Sequence, residues 1–470
     1  MTIETTSFPP HSRFSYPEEL RPAFVETRPI HFKDGSSISA AEIWRFMTEE
    51  APIRFPYAFD ASANHIGRLS DDVEFLSGIK RGYLTITLKD RLLKAHAAGV
   101  PVVLIQGGQS MDPYYAAGGI PLRPGFVMHW ANTMQEGLNL RQADNRGLEI
   151  LESGRRAISV EACNQIAAHA AIDAGIVPVD LIAPYLCLRC SDMAYLVESH
   201  RDKARNIPRY LVDYPIESEN KDWTREYLAS MLRTLTTKIG KLHGKEVTEA
   251  DVLAEIKLEN KGRRLARETT KIWWSADVPP TNSTDFNGVP FLANDFVGDP
   301  IASIGVLEET KAEIRQRVKD SVKGLTLVDN PRRLFVCGSC VGPNPNHVER
   351  SGGVLVGSDD RWSAISTDVR ETGDPYENLA DAILAFPYEQ PTEKRAEWTA
   401  DQVKKSRADG VIFMYNWGCN FQTAVARMVS DIVRERTGVP TTFIEVGELG
   451  RMEALEQSEN RVESFIEILA

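Results

Sequence analysis

Apolar and polar residues follow two rhythms along this chain. Seven short runs are rich in apolar, β-branched residues and are punctuated by glycine, proline or charge: GVPVVLIQGG (99–108), VDLIAPYLCLRC (179–190), PRYLVDYP (208–215), RRLFVCG (332–338), GGVLVG (352–357), DGVIFMYN (409–416) and TTFIEV (441–446). Runs of this kind read as strands of a parallel sheet buried on both faces. Between them the apolar residues recur at helical spacing, over 89–98, 158–175, 305–322, 399–408 and 423–438. Strands alternating with helices predict open, parallel α/β sheets.

The stretch 221–275 breaks that alternation. WTREYLASMLRTLTTKIGKLHG is an amphipathic helix that should stop at Gly244. A second helix starts at Thr248, with Asp251 placed to complete a capping box, and Pro279 and Pro280 end the segment. The expected organisation is an N-terminal arm and helices over 1–90, a first α/β domain over 91–220, a helical hairpin or linker over 221–300, and a second α/β domain over 301–470. The fold class is α/β: two open parallel-sheet domains of Rossmann or flavodoxin type facing a cleft.

Composition narrows the function. The 470 residues are 42% hydrophobic and 26% charged, as in water-soluble globular chains. No apolar run approaches the roughly 18 residues of a membrane span. The N-terminus shows no charged-then-apolar leader. A cytoplasmic location without membrane attachment is expected. The net charge of −12, from 54 basic and 66 acidic residues, opposes nucleic-acid binding, which draws its affinity from basic side chains on phosphates. In a reducing compartment, six cysteines point to thiol or metal chemistry rather than to a disulfide scaffold.

The cysteines lie at strand ends or at a helix start. Cys187 and Cys190 follow VDLIAPYL, Cys337 and Cys340 follow RRLFV, Cys419 follows VIFMYNWG, and Cys163 opens CNQIAAHAA. In open α/β sheets, ligands bind beyond the carboxyl ends of the strands. Four cysteine positions on that edge could converge across a cleft. A zinc corner from the two C-x-x-C pairs and burial of single cysteines as small core residues are the competing readings. A ferredoxin-type run of close cysteines is absent. No G-x-G-x-x-G or G-x-x-x-x-G-K-[ST] motif occurs, so ATP binding by this chain is not expected.

One resemblance bears on the choice. Residues 407–469, from RADGVIFMYNWGCNF through GVPTTFIEV to RVESFIE, resemble the end of the 2-hydroxyacyl-CoA dehydratase and benzoyl-CoA reductase family. RLFVCGSCVGPNPNHVERSGGVLVG is similar to its glycine–cysteine turn. EACNQIAAHAAIDAG and CSDMAYLVE are similar to its cysteine segments, and the resemblance spans about 95–470. It implies a [4Fe–4S] cluster on three cysteines, here Cys163, Cys190 and Cys419, with one iron position left open. Cys187, Cys337 and Cys340 exceed that set, so a larger double-cubane cluster also fits the resemblance.

The family further implies an oxygen-sensitive enzyme, a homologous second subunit, and a separate ATP-hydrolysing iron–sulfur activator supplying a low-potential electron. The substrate would be an acyl-CoA or aryl-CoA thioester reduced to a ketyl radical. Dehydratases then expel water, whereas benzoyl-CoA reductases reduce the ring; a non-catalytic, cluster-carrying or zinc-stabilised partner subunit is the further alternative. The family's usual P-E before the alanine–glycine turn is replaced here by Asp112-Pro113-Tyr114-Tyr115. Tyr114, Tyr115 and Trp417 stand near the expected acyl channel, and aromatic walls favour an aryl-CoA. His129, Trp130 and His169 are candidate proton donors or packing residues, Arg123 and Arg209 candidate partners of CoA phosphates or surface residues, and Trp273-Trp274 an anchor for the hairpin.

Overall fold

The computed structural model describes residues 15–59, 73–105, 110–123, 177–185, 206–213, 221–338, 342–416, 419–446 and 452–469, with isolated positions at 125, 149, 152, 153, 156, 190, 196 and 215. The expected helix at 158–175 lies outside them. Apart from the strand expected at 208–215, the other predicted strands and helices are present, and the chain is α/β with two open parallel sheets.

The first sheet contains β1 (Val102–Leu104), β2 (Ile120–Leu122) and β3 (Leu181–Ile182), in the order β2-β1-β3. Single parallel bridges from Ile182 to Arg209 and from Tyr185 to Val212 extend it, so PRYLVDYP contributes bridges rather than a full strand. The second sheet contains β4 (Arg332–Cys337), β5 (Gly353–Ser358), β6 (Gly410–Asn416) and β7 (Thr441–Val446), in the order β5-β4-β6-β7. Its side chains alternate between two cores. Leu334, Val336, Ile412 and Met414 face one cluster, and Phe335, Cys337, Val411 and Phe413 face another. Both faces are apolar, which is why these strands read as continuous runs.

Helices α1 (Leu76–Ile86) and α2 (Leu88–Ala97) precede the first sheet, and α3 (Asp112–Ala116) joins β1 to β2. The N-terminal residues before α1 form short helical turns and a two-residue ribbon, and Phe24, Ile43 and Trp44 pack into the core that also takes one face of the second sheet. The two helices expected over 221–275 are α4 (Asp222–Leu242) and α5 (Glu249–Ser275), and α5 starts with the expected capping box of Thr248 and Asp251. Trp273 and Trp274 tie the end of α5 to its surroundings rather than to α4. Trp273 stacks on Phe286 at 4.0 Å, and Trp274 donates its indole N–H to Val356 O at 2.8 Å.

Helix α6 (Ser283–Asp295) was concealed in the sequence by Gly288 and Pro290, which ordinarily weaken a helix. Gly288 is required there: a Cβ would lie 1.9 Å from an Arg81 guanidinium nitrogen. That guanidinium donates to Asp285 O at 2.8 Å and pairs with the Asp285 carboxylate at 2.5 Å, both buried. Helix α7 (Pro300–Lys319) follows, capped by the Asp299 carboxylate on Ala302 N–H.

Helix α5 serves two cores. Val252 and Ile256, near its start, belong to the cluster under the first sheet, while Ala266, Trp273 and Trp274 belong to the cluster under the second. Between them, Arg263 is 4% exposed and pairs with Asp112 at 2.5 Å and Glu259 at 3.0 Å. Asn260 donates to Val369 O at 2.7 Å, tying the same stretch to the segment after β5. Burial and the Asp112 charge push Glu259 well above the usual carboxylate range. Burial opposes ionisation of Asp112 too, but Arg263 and the hydrogen bonds from Glu259 and Ser110 hold it below that range. The two neighbouring carboxyls are thus pushed in opposite directions, Glu259 towards its protonated form and Asp112 towards its ionised form.

A carboxyl that holds its proton more tightly when folded adds stability below its unfolded pKa and loses it as pH rises towards the folded value. Asp112 runs the other way, its share being lost only in acid. Between about pH 5 and about pH 8 the wild-type chain should therefore lose melting temperature, and Glu259→Gln should reduce that slope, the remainder coming from Glu255, Asp295, Asp299, Glu313 and Asp359, also pushed up by burial. Thermal melts across that range check it. Arg263→Met should unfold about 3–5 kcal/mol more easily in urea, because it strands Asp112 without its cation.

Candidate functional site

In the second sheet the strand order reverses between β4 and β6, and a crevice outside their carboxyl ends is the expected ligand position. Cys337 closes β4, opposite Phe413. It is fully buried, and burial followed by the nearby Asp359 charge pushes its thiol well above the usual range. The next residue, Gly338, has φ +113°, and a Cβ there would lie 2.7 Å from Met414 O. Only glycine lets the turn after β4 lie so close to β6.

Cys419 stands three residues beyond β6, at the N-cap of α12 (Asn420–Thr437), and is half-buried. Its carbonyl accepts the N–H of Thr423 at 3.1 Å and the Thr423 hydroxyl at 2.6 Å, which seats the first turn. A sulfur at a helix N-terminus meets the positive end of the helix dipole, which favours thiolate.

Beneath this edge lies a buried polar network. Asp359 starts the short helix α9 (Asp359–Ala364), after α8 (Pro345–Arg350) and β5. Its carboxylate accepts the N–H of Gly338 at 3.1 Å and two bonds from Arg395, at 2.6 and 3.2 Å. Arg395 lies on α11 (Thr392–Lys405), which follows α10 (Pro375–Leu384), and its guanidinium sits 4.2 Å over the Tyr388 ring. Burial pushes Asp359 up, and Arg395 offsets part of that. Burial opposes the charge of Arg395, yet the Asp359 carboxylate holds it above its ordinary value. Tyr388 donates its hydroxyl to Gly338 O at 3.1 Å and accepts from the Gln422 amide on α12.

The sequence reading missed Asp359, Arg395, Tyr388 and Gln422. One signal was present: Arg395 falls in register with the buried stripe of Thr399 and Val403, and a charge on an apolar stripe implies a buried partner.

The first sheet repeats the arrangement. Counting the bridges at Arg209 and Val212 as its fourth member, both sheets run second, first, third, fourth in chain order. Cys190 follows the third strand of the first sheet and Cys419 the third strand of the second, and both are half-buried. Tyr114 and Tyr115 do not line a channel: both are buried, and their hydroxyls donate to Ala183 O at 2.9 Å and Asp295 O at 3.3 Å. Arg123 is engaged by the buried Asp295 carboxylate at 2.9 Å rather than held out for a phosphate. Arg209 is half-buried on the bridge to Ile182.

Cys163, Cys187, Cys340, His129, Trp130, His169 and Trp417 lie outside the described residues. Among the described residues no three His, Cys, Asp or Glu side chains converge on a metal. Cys190 and Cys419 nevertheless suit a soft metal group: they are half-accessible thiols, each following the third strand of its sheet in chain order. Cys337 lacks that accessibility and fills core.

Compared with known proteins, residues 113–469, about three quarters of the chain, match the family described as 2-hydroxyglutaryl-CoA dehydratase, D-component. The chain is also similar to one of the subunits of the benzoyl-CoA reductase of Thauera aromatica, at 24% identity over 245 residues, which are 49% of this chain and 60% of that protein. The match thus spans less than two thirds of that relative's length. The resemblance drawn from the C-terminal segment and the cysteine motifs is borne out at the level of the family.

The Asp359–Arg395 pair yields a direct check. Arg395→Met should cost about 3–5 kcal/mol in urea unfolding, by stranding a buried carboxylate. Adding Asp359→Leu to that variant should recover much of the loss, since no charge is then left buried without its partner.

Proposed function

Because this chain belongs to the 2-hydroxyglutaryl-CoA dehydratase D-component family, we propose that it is the cluster-carrying subunit of an ATP-activated acyl-CoA enzyme. The observation that carries the reading is the equivalent placement of Cys190 and Cys419, each beyond the third strand of a sheet of the same order. With Cys163 they would hold a [4Fe–4S] cluster. When bound, the cluster would supply a low-potential electron and an open iron that polarises the thioester oxygen.

The chain's own residues have separable tasks. Cys419 is held at a helix start whose dipole favours the thiolate. Gly338 lets the turn after β4 approach that position, and the Asp359–Arg395 pair fixes the turn from below. The apolar faces around Phe413 and Val411 keep water from the sheet beneath the site. A homologous second subunit and an ATP-hydrolysing iron–sulfur activator complete the proposal. A cytoplasmic setting belongs to it as well, because it keeps the thiols reduced; no helix among the described residues is long and apolar enough to cross a membrane.

We take the substrate to be a 2-hydroxyacyl-CoA that loses water. The aromatic argument for an aryl-CoA has lost Tyr114 and Tyr115 to the core, and the family that matches most of the chain is described as a dehydratase. Reduction of an aryl-CoA is the second reading, favoured by the likeness to the Thauera benzoyl-CoA reductase.

Anaerobically purified protein should be brown, with about four iron and four sulfide per chain for a single cubane. Cys419→Ala should lose iron and keep its far-ultraviolet circular dichroism. Colourless protein with stoichiometric zinc would sink the reading. Once assembled with its partner and activator, the enzyme should convert 2-hydroxyacyl-CoAs without net electron uptake. Turnover of benzoyl-CoA alone would transfer the assignment to the reductases.

A further inference from the structure

Gly338, just beyond β4, and the start of α12 both lie at the carboxyl edge of the second sheet, next to its switch point. Within the described residues a side-chain hydroxyl bonds to both. Tyr388 lies in a single turn of 3-10 helix, Pro387–Glu389, and is 8% exposed. Its hydroxyl donates to Gly338 O on one side and accepts the Gln422 amide on the other. Gln422 is the third residue of the helix that Cys419 caps, and it is 2% exposed. The ring of Tyr388 is held separately, by the Arg395 guanidinium stacked 4.2 Å from its centre. The ring and the hydroxyl therefore have different tasks.

We infer that Tyr388 is a positioning residue for Cys419, acting through the relay Gln422 to Tyr388 to Gly338. The relay ties the first turn of α12 to the fixed turn after β4, and so sets where the Cys419 sulfur stands relative to the crevice. An ordinary core tyrosine would act through its bulk. Here the bulk is already secured by Arg395, and the hydroxyl carries the coupling. The consequence for a cluster rests on the proposal that Cys419 is one of its ligands; the positioning of the thiol does not.

Tyr388→Phe keeps the ring and its stacking and removes the hydroxyl of the relay. In the metal-free, full-length chain, alkylation of Cys419 by iodoacetamide can be followed on the tryptic peptide 408–427. Tyr388→Phe should alkylate roughly fivefold faster than wild type, the scale of one lost hydrogen bond, with a melting temperature within a few degrees. Gln422→Met should do the same, and the double variant should be no faster than either single one, because both cut the same relay. In chain reconstituted anaerobically with iron and sulfide, the same variants should release iron to a chelator faster than wild type. Unchanged alkylation in Tyr388→Phe, or additive effects in the double variant, would overturn the inference. If wild-type chain takes up no iron, the cluster reading fails, and the alkylation rates still decide the role of Tyr388.

Discussion

Arg263 is a cation held out of water in the middle of α5, a helix that packs into the cores under both sheets. A buried guanidinium is tolerated only with its counter-charges in place. Asp112 and Glu259 supply the partners, Asp112 favoured in its ionised form and Glu259 pushed towards its protonated one. The demand fixes geometry at a distance. Asp112 belongs to the turn after β1, Arg263 to α5, and the neighbouring Asn260 reaches the backbone at Val369 beyond β5. Satisfying one desolvated charge thereby sets the carboxyl edge of the first sheet against the helix that braces the second.

At the two switch points the same solution appears twice, with different means. The first sheet has its aromatic residues, Tyr114 and Tyr185, packed edge to face beyond the strands, at 6.0 Å between ring centres. The second has Asp359, Arg395 and Tyr388. In both sheets the cysteine that follows the third strand is half-buried, and the aromatic and charged residues just named are buried.

Much of this could be read from the sequence, for physical reasons. Strands buried on both faces leave continuous β-branched runs, so β1, β4, β5, β6 and β7 announced themselves. Thr248 and Asp251 form a local capping box that needs no tertiary context. The failures were of the opposite kind. Helix α6 contains Gly288 and Pro290, and only the approach of Arg81, about two hundred residues away in sequence, explains the glycine. The strand expected at 208–215 pairs only at single bridges. Tyr114 and Tyr115 look like channel walls in the sequence, yet their hydroxyls find backbone carbonyls inside the core. Asp359 and Arg395 lie 36 residues apart on different helices, and no local pattern states that they meet. Cys190 and Cys419 were legible as strand-end thiols; their equivalence became visible only with the strand order.

The packing of α10 has a consequence for how the chain is made. Leu379, Ala380 and Ile383 lie between β5 and β6 in sequence, yet they complete the cluster around Leu228, Leu232 and Leu235 of α4 under the first sheet. Phe24 and Trp44, near the start, share a cluster with Val411 and Phe413. During synthesis the ribosome releases the first sheet long before α10 exists, so that sheet waits with one apolar side uncovered. The core under the first sheet is therefore complete only after residues 375–384 have emerged, so the two halves of the chain mature together rather than in turn.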